Sequence, residues 1–249
     1  MISREGLAEI SRGTDLHLYQ QEKDYLLKLF LYFYYRRFDS AAFKGGTCLK
    51  YLLGLNRFSE DLDFETRAPV KFRKEADGVL EDIRSVGIEA AYLKREKFRK
   101  SYTCQISFHG PLYTGSKRTR NKFTIDAGRR TKMIEKPEWN FIESEYPETG
   151  RKFLVYSMNP KEILAEKVAA MLERNKGRDL YDVWFMLKNG YEIDGKILAK
   201  KYGKKIDPEK ITGKSDYERD LKRLTHMMVP YEQVAGEVRK KLNALKNNI

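Results

Sequence analysis

The sequence predicts an α+β fold in which strands and helices, residues 1–157, are followed by a C-terminal helical part, residues 158–249. Three observations carry this. Short segments in which apolar and polar residues alternate recur up to residue 128, which is the period of strands. Longer runs between them have apolar residues three and four apart, the period of helices. From about residue 157 only the helical period continues. The two parts can share one core.

Taken in order, residues 15–37 form the first helix, with Leu26, Leu27, Phe30, Leu31 and Tyr34 at helical spacing. Ala41 to Lys44 is a short strand. Gly45-Gly46 reads as a turn, and Thr47 can cap a short helix running to Leu53. Leu62 and Phe64 alternate with Asp61 and Asp63, a strand pattern. Residues 69–86 read as a helix with Pro69 near its start. Residues 88–93, 102–109 and 122–128 read as strands. Asn159-Pro160 is a cap followed by a first-turn proline, and helices run from there to the end.

With 249 residues and 41% hydrophobic content, the chain can bury a core in one large domain or two small ones. Lys and Arg total 49 against 36 Asp and Glu, a formal net charge of +13. Such a surplus attracts polyanions. A thermophile-type surface rich in both signs would explain the 34% charged content, but not the excess of one sign. Two distant cysteines, Cys48 and Cys104, indicate neither a disulfide framework nor a zinc site, and a reducing cytoplasm is the expected compartment. Arg4 and Glu5 speak against a signal peptide. The greasiest stretch, Tyr25 to Tyr35, holds Lys28 and falls short of the ~20 apolar residues that span a bilayer. No membrane association is expected. His17, His109 and His226 are too scattered for a metal cluster, and no nucleophile–base pair is readable.

The chemistry is concentrated in KGGTCLKYLLGLNRFSEDLDFE, Lys44 to Glu65. Alternate strand residues share a face, so Asp61 and Asp63 point the same way. Two such carboxylates suit Mg²⁺, a hard cation that takes oxygen ligands. Two metals about 3.5–4 Å apart can clamp the attacking and leaving oxygens of phosphoryl transfer. Glycines before a helix let a phosphate approach backbone N–H groups at the positive end of the dipole. Alone, GG is most often only a turn and DxD only solvated charge. Together, joined by one short helix, they supply what nucleotidyl transfer needs. No Gly-Lys-Ser/Thr follows, so this is not a Walker loop.

The GG turn, helix and DxD in this order resemble the polymerase-beta-like nucleotidyltransferases. More narrowly, KGGTCL followed by RFSEDLDF is similar to the AbiEii/AbiGii toxin family, which includes the MenT toxins. EILAEKVAAMLERNKGRDLYDVWFML, residues 162–187, resembles that family's later motifs. The matching motifs span residues 44–187, and the last sixty residues carry none. The resemblance implies a mixed sheet with flanking helices. It implies a type IV toxin–antitoxin enzyme that uses Mg²⁺ or Mn²⁺, takes an NTP as substrate, and has a cognate antitoxin protein as partner. Its acceptor would be RNA, the 3′ end of tRNA in MenT-type members. Carried onto this chain, the turn motif falls on Gly45 and Gly46, with Lys44 and Thr47 beside them as nucleotide contacts. The DxD motif falls on Ser59, Asp61 and Asp63, the third motif on Lys167, and the fourth on Asp179 with Asp182 close by.

Lys167 is out of place on its own helix. Ile163, Lys167 and Met171 fall side by side, and Leu164 and Val168 extend the same apolar face. Its ammonium either meets an anion such as a triphosphate or snorkels from the edge of the core. Its removal is expected to leave the fold intact. Asp179 and Asp182 open the next helix after Gly177, read as a stop signal. Asp179 is either catalytic or a first-turn capping residue, and Asp182 a nucleotide contact or a buried partner of Lys167 or Arg178. Asp126, in KFTIDAG, is either a third metal carboxylate or a strand-end turn residue. The basic residues Lys117, Arg118, Arg120, Lys122, Arg129, Arg130 and Lys132 are candidates for RNA phosphates. Two other readings compete: a nucleic-acid-binding or regulatory protein that keeps the fold without activity, and an enzyme that nucleotidylates a protein or a small molecule. The paired carboxylates argue against the first, and the +13 charge argues for RNA over the second.

Overall fold

The computed structural model describes residues 1–14, 16–128, 133–225 and 227–246. Its contacts gather into two compact units. The first comprises Met1–Leu53, Glu60–Arg130 and Pro137–Ser157, and the second Gly54–Ser59, Thr131–Lys136 and Met158–Ile249.

The first unit contains α1 (Arg4–Arg12), α2 (Leu18–Tyr35), β1 (Ala41–Lys44), α3 (Gly45–Leu53), β2 (Leu62–Thr66) and α4 (Pro69–Ser85). It continues with β3 (Glu89–Lys97), β4 (Ser101–His109), β5 (Asn121–Gly128), β6 (Glu138–Glu143) and β7 (Lys152–Ser157). The strands form one sheet in the order β3-β4-β5-β2-β1-β7-β6. β2 pairs with β5 and β1 with β7 in parallel, while the remaining neighbours are antiparallel. This is the mixed sheet with flanking helices that the family resemblance implies.

One face of the sheet is packed. Leu62, Phe64, Ile125, Phe123 and Phe108 are buried there. α2 and α4 add Phe30, Tyr34 and Phe72. The rings interlock, with Phe64 and Phe72 centroids 5.0 Å apart and Phe108 and Phe123 4.9 Å apart. Aromatic pairs at such distances stabilise by about 0.5–1.5 kcal/mol beyond their buried area. The other face is polar and half-exposed along β4, β5 and β2, where Ser101, Thr103, Gln105, Thr124, Asp126 and Asp63 alternate with those core residues. Cross-strand partners share a face, so the pairings Lys44↔Asp63, Asp63↔Asp126, Thr103↔Asp126 and Glu96↔Thr103 define one continuous row across five strands.

Three features differ from the sequence expectation. α1 was not anticipated; Ser3 caps it by accepting the Gly6 N–H at 3.0 Å. β6 and β7 were not anticipated either. Their outward residues Trp139, Phe141 and Leu154 are apolar and exposed, which hides the alternation that marks a strand. Finally, Gly45-Gly46 is not a turn ahead of a helix: both glycines belong to α3 itself.

In the second unit the pattern is helical, as expected: α5 (Pro160–Glu173), α6 (Gly177–Lys188), α7 (Gly195–Tyr202), α8 (Lys214–Leu221) and α9 (Tyr231–Lys246). The Asn159 side chain caps α5 by accepting the Lys161 N–H at 3.0 Å, with Pro160 in the first turn. Leu164, Val168, Leu180, Val183, Leu221 and Val238 build the core. Gly177 opens α6 rather than ending α5. A Cβ there would come within 2.5 Å of the Tyr217 backbone, so the glycine permits the close approach of α8. Among the described residues no helix is long and apolar enough to cross a membrane.

Candidate active site

Each unit assembles part of the predicted constellation. In the first, Asp63 lies on β2 directly beside Asp126 on the parallel strand β5. Neighbouring strands run about 4.8 Å apart, so these two carboxylates are near neighbours on one face. Asp61 stands two residues before Asp63, just outside the strand, and its Oδ1 accepts the Thr124 N–H at 3.0 Å. All three are half-buried. Burial raises the Asp61 carboxyl above its ordinary value, and the neighbouring Glu60 charge adds to this while the Thr124 hydrogen bond opposes it. Among the described residues, no three His, Cys, Asp or Glu side chains are gathered closely enough to hold a metal ion as they stand.

Helix α3 is fastened to this edge. The Thr47 hydroxyl donates to the Asp61 carbonyl oxygen at 2.5 Å. Thr47 therefore ties the two motif halves together rather than capping the helix. Gly45 has φ +80° and a Cβ there would collide with the Asp63 carboxylate. The close approach and the left-handed backbone both call for glycine. Lys44, expected as a nucleotide contact, is buried, and its ammonium pairs with Glu65 Oε2 at 2.7 Å.

In the second unit, Lys167 Nζ lies 2.7 Å from Asp182 Oδ2 and 3.5 Å from Asp179 Oδ1. Both aspartates are fully buried. Arg57 forks onto Asp182 through Nε at 2.6 Å and Nη2 at 2.7 Å, and Arg174 forks onto Asp179 at 2.7 and 3.1 Å. Burial would raise the Asp182 carboxyl, but Arg57 and Lys167 overcome it and hold the group below its ordinary value. The cluster of Arg57, Lys167, Arg174, Asp179 and Asp182 has one more positive group than negative, so it presents a net cation. The expectation that removing Lys167 leaves the fold untouched needs correction, because its ammonium compensates two buried carboxylates. Ser59 is half-buried at the end of segment Gly54–Ser59.

Arg57 is the residue that sequence reasoning missed. It lies inside the NRFSEDLDFE segment, three residues before Glu60. The signal was Asp182: a carboxylate among apolar neighbours needs a rigid, planar cation, which arginine supplies.

Of the basic candidates, Lys117, Arg118 and Lys122 are exposed and Arg120 is half-buried, its guanidinium 6.0 Å from the Tyr113 ring centroid. Arg129, Arg130 and Lys132 lie outside the described residues, as does His226.

Comparison with known proteins gives a consistent result. The sequence profile of the family described as "Nucleotidyl transferase AbiEii toxin, Type IV TA system" matches residues 34–243. MenT4, a nucleotidyltransferase toxin from Mycobacterium tuberculosis H37Rv, is similar in structure with a TM-score of 0.69 and 19% identity, over 100% of this chain and 91% of that one. JHP933 from Helicobacter pylori is similar with a TM-score of 0.64 and 21% identity, over 94% of each chain. At these identities the likeness is one of fold. Among curated proteins none matches.

Proposed function

This chain belongs to the AbiEii nucleotidyl transferase toxin family of type IV toxin–antitoxin systems, and on that premise we propose that it transfers a nucleoside monophosphate from an NTP to the 3′ end of an RNA, with tRNA as the acceptor. The observation that carries the reading is the in-register pairing of Asp63 with Asp126, with Asp61 beside them. Asp63 and Asp126 side by side, with Asp61 just outside the strand, offer oxygen donors only, which suits Mg²⁺ and, second, Mn²⁺. The raised Asp61 carboxyl supports the fit, since a half-buried carboxylate short of compensation gains from a cation. Asp61, Asp63 and Asp126 would hold the ion, which when bound supplies positive charge at the α-phosphate.

The chain's own groups do the positioning. Within the first unit, the first turn of α3, with Gly45 and Gly46, offers backbone N–H groups to the triphosphate tail. In the second unit, Ser59 and Lys167 are the nucleotide contacts that the family resemblance implies, and Asp179 and Asp182 hold that lysine in place. The terminal hydroxyl of the RNA attacks the α-phosphorus in line. A new P–O bond forms, the hydroxyl gives its proton to water, the bond to the bridging oxygen breaks, and pyrophosphate leaves. Most of the rate comes from positioning and electrostatics. A tRNA altered at its 3′ end cannot be aminoacylated, which accounts for toxicity, and a cognate antitoxin protein would restrain it.

Two labels on one NTP test the reaction. α-Label should enter RNA and γ-label should not. Transfer of γ-label would mean a kinase, and α-label on protein or a small molecule would remove RNA as the acceptor. Asp61→Ala and Asp63→Ala should each abolish labelling while the circular dichroism spectrum stays unchanged.

A further inference from the structure

The polar row that begins at Lys44 and passes through Asp63 and Asp126 continues to Thr103 on β4 and Glu96 on β3. One residue beyond Glu96, the β3–β4 hairpin turns. Its tip is Lys97-Phe98-Arg99-Lys100, closed by the Phe98 N–H donating to the Ser101 carbonyl at 2.9 Å. Every tip residue is exposed. Phe98 is 55% exposed, and its ring stacks on no other ring among the described residues. Lys97, Arg99 and Lys100 form no ion pair with any described residue. The other hairpin cations differ: Arg95 is held by Asp77 at 2.7 Å and Lys94 by Glu96 at 2.9 Å. The tip is therefore an aromatic ring among three uncompensated cations. Glu96 lies three strand spacings, ~14 Å, from Asp63 along the row, and the tip follows it, level with the Glu65 end of β2. Ser101, Thr103 and Gln105 line the intervening face with hydrogen-bonding groups and leave it half-exposed.

We propose that the β3–β4 hairpin is the docking element for the single-stranded end of the acceptor RNA. Phe98 stacks on an unpaired base, and Lys97, Arg99 and Lys100 hold the flanking phosphates. The strand then runs over Ser101 and Thr103 toward Asp126 and Asp63. A lone exposed ring selects an unpaired base, because bases inside a duplex are already stacked. Stacking is also tolerant of base identity, so the hairpin reads strandedness rather than sequence. This inference rests on the RNA-acceptor reading above.

The test uses the full chain and two variants, Phe98→Ala and the triple variant Lys97→Glu, Arg99→Glu, Lys100→Glu. Fluorescence anisotropy follows binding of a short single-stranded oligoribonucleotide and of the same sequence in a blunt duplex, across a salt series. Phe98→Ala should weaken single-strand binding about tenfold and leave duplex binding within about twofold. The triple variant should flatten the slope of log affinity against log salt by about two, at ~0.7 per lost phosphate contact. NTP affinity and thermal stability should not move, since the tip is exposed. Parental affinity and slope in both variants, in a protein that still labels RNA, would overturn the hairpin and leave the RNA reading standing. A parental protein that releases pyrophosphate but neither binds nor labels RNA would sink the RNA reading, and the hairpin's role with it.

Discussion

Burial raises the Asp61 carboxyl, so the native state holds that proton more tightly than the unfolded chain does. The cost of ionising it therefore appears as pH rises from the ordinary carboxylate range through the raised value. Asp61→Asn removes the charge and keeps an oxygen for the Thr124 N–H. It should abolish transfer yet raise the melting temperature at pH 7, a gain that fades as pH falls below the ordinary carboxylate range. A lower melting temperature at pH 7 would refute the cost assigned to this carboxylate. Lys167 behaves oppositely. Lys167→Ala leaves two fully buried carboxylates with one cation fewer, which should cost about 1–3 kcal/mol in urea unfolding. It should also weaken NTP binding when measured where the variant is still folded. An unchanged NTP affinity would make Lys167 a purely structural cation. The sequence made Lys167 conspicuous because its apolar neighbours are periodic. It left Arg57 silent, because an arginine in a polar loop looks like every other exposed arginine until its carboxylate partner is located.

Helix α3 owes its position to a buried polar knot on α2. Asp24 accepts hydrogen bonds from Lys50 Nζ at 2.6 Å and from Tyr51 and Tyr146 hydroxyls at 3.0 Å each. Lys28 Nζ stands 3.4 Å away. Burial would raise the Asp24 carboxyl, but Lys50 and Lys28 overcome it and hold the group below its ordinary value. Asp24→Asn removes the charge that Lys50, Tyr51 and Tyr146 share, while Lys28 keeps Glu145 at 2.7 Å, and should cost about 1–3 kcal/mol. Equilibrium urea denaturation would measure it, and a loss under 1 kcal/mol would show that α3 is held by other means. None of this knot was legible in the sequence. The stripe of Leu26, Leu27, Phe30, Leu31 and Tyr34 marked α2 as a helix, but periodicity shows only which face is apolar. The buried run Gln21 to Asp24 shows that the other face is covered too, and its satisfaction depends largely on distant partners, Lys50 26 residues and Tyr146 125 residues away among them. The α3–β2 pair was legible because its chemistry is local: glycine, threonine and two aspartates within nineteen positions, Gly45 to Asp63. Asp126 became a neighbour only through the parallel β2–β5 pairing, which no local pattern announces.

At the scale of the whole chain, the +13 charge implies salt-sensitive binding to polyanions. Charge reversal at Lys117, Arg118 and Arg120 together should weaken RNA binding, flatten its salt dependence and spare NTP affinity. RNA affinity indifferent to salt would count against any basic docking surface here. The α+β class and the strands up to residue 128 followed from alternation alone, while the sheet order did not, because order is fixed by long-range pairing. That order has a temporal consequence. β1 sits inside the sheet, yet its neighbour on one side, β7, is made more than a hundred residues later. At about 5–20 residues per second of synthesis, roughly five to twenty-five seconds separate the appearance of Lys44 from that of Ser157. Until then the nascent chain exposes Ala41–Lys44 as a bare edge, one strand from the carboxylates, and non-local pairings of this kind are slow to close. A ribosome-stalled chain ending near residue 150 should accordingly be cut by protease around β1, whereas the released protein resists.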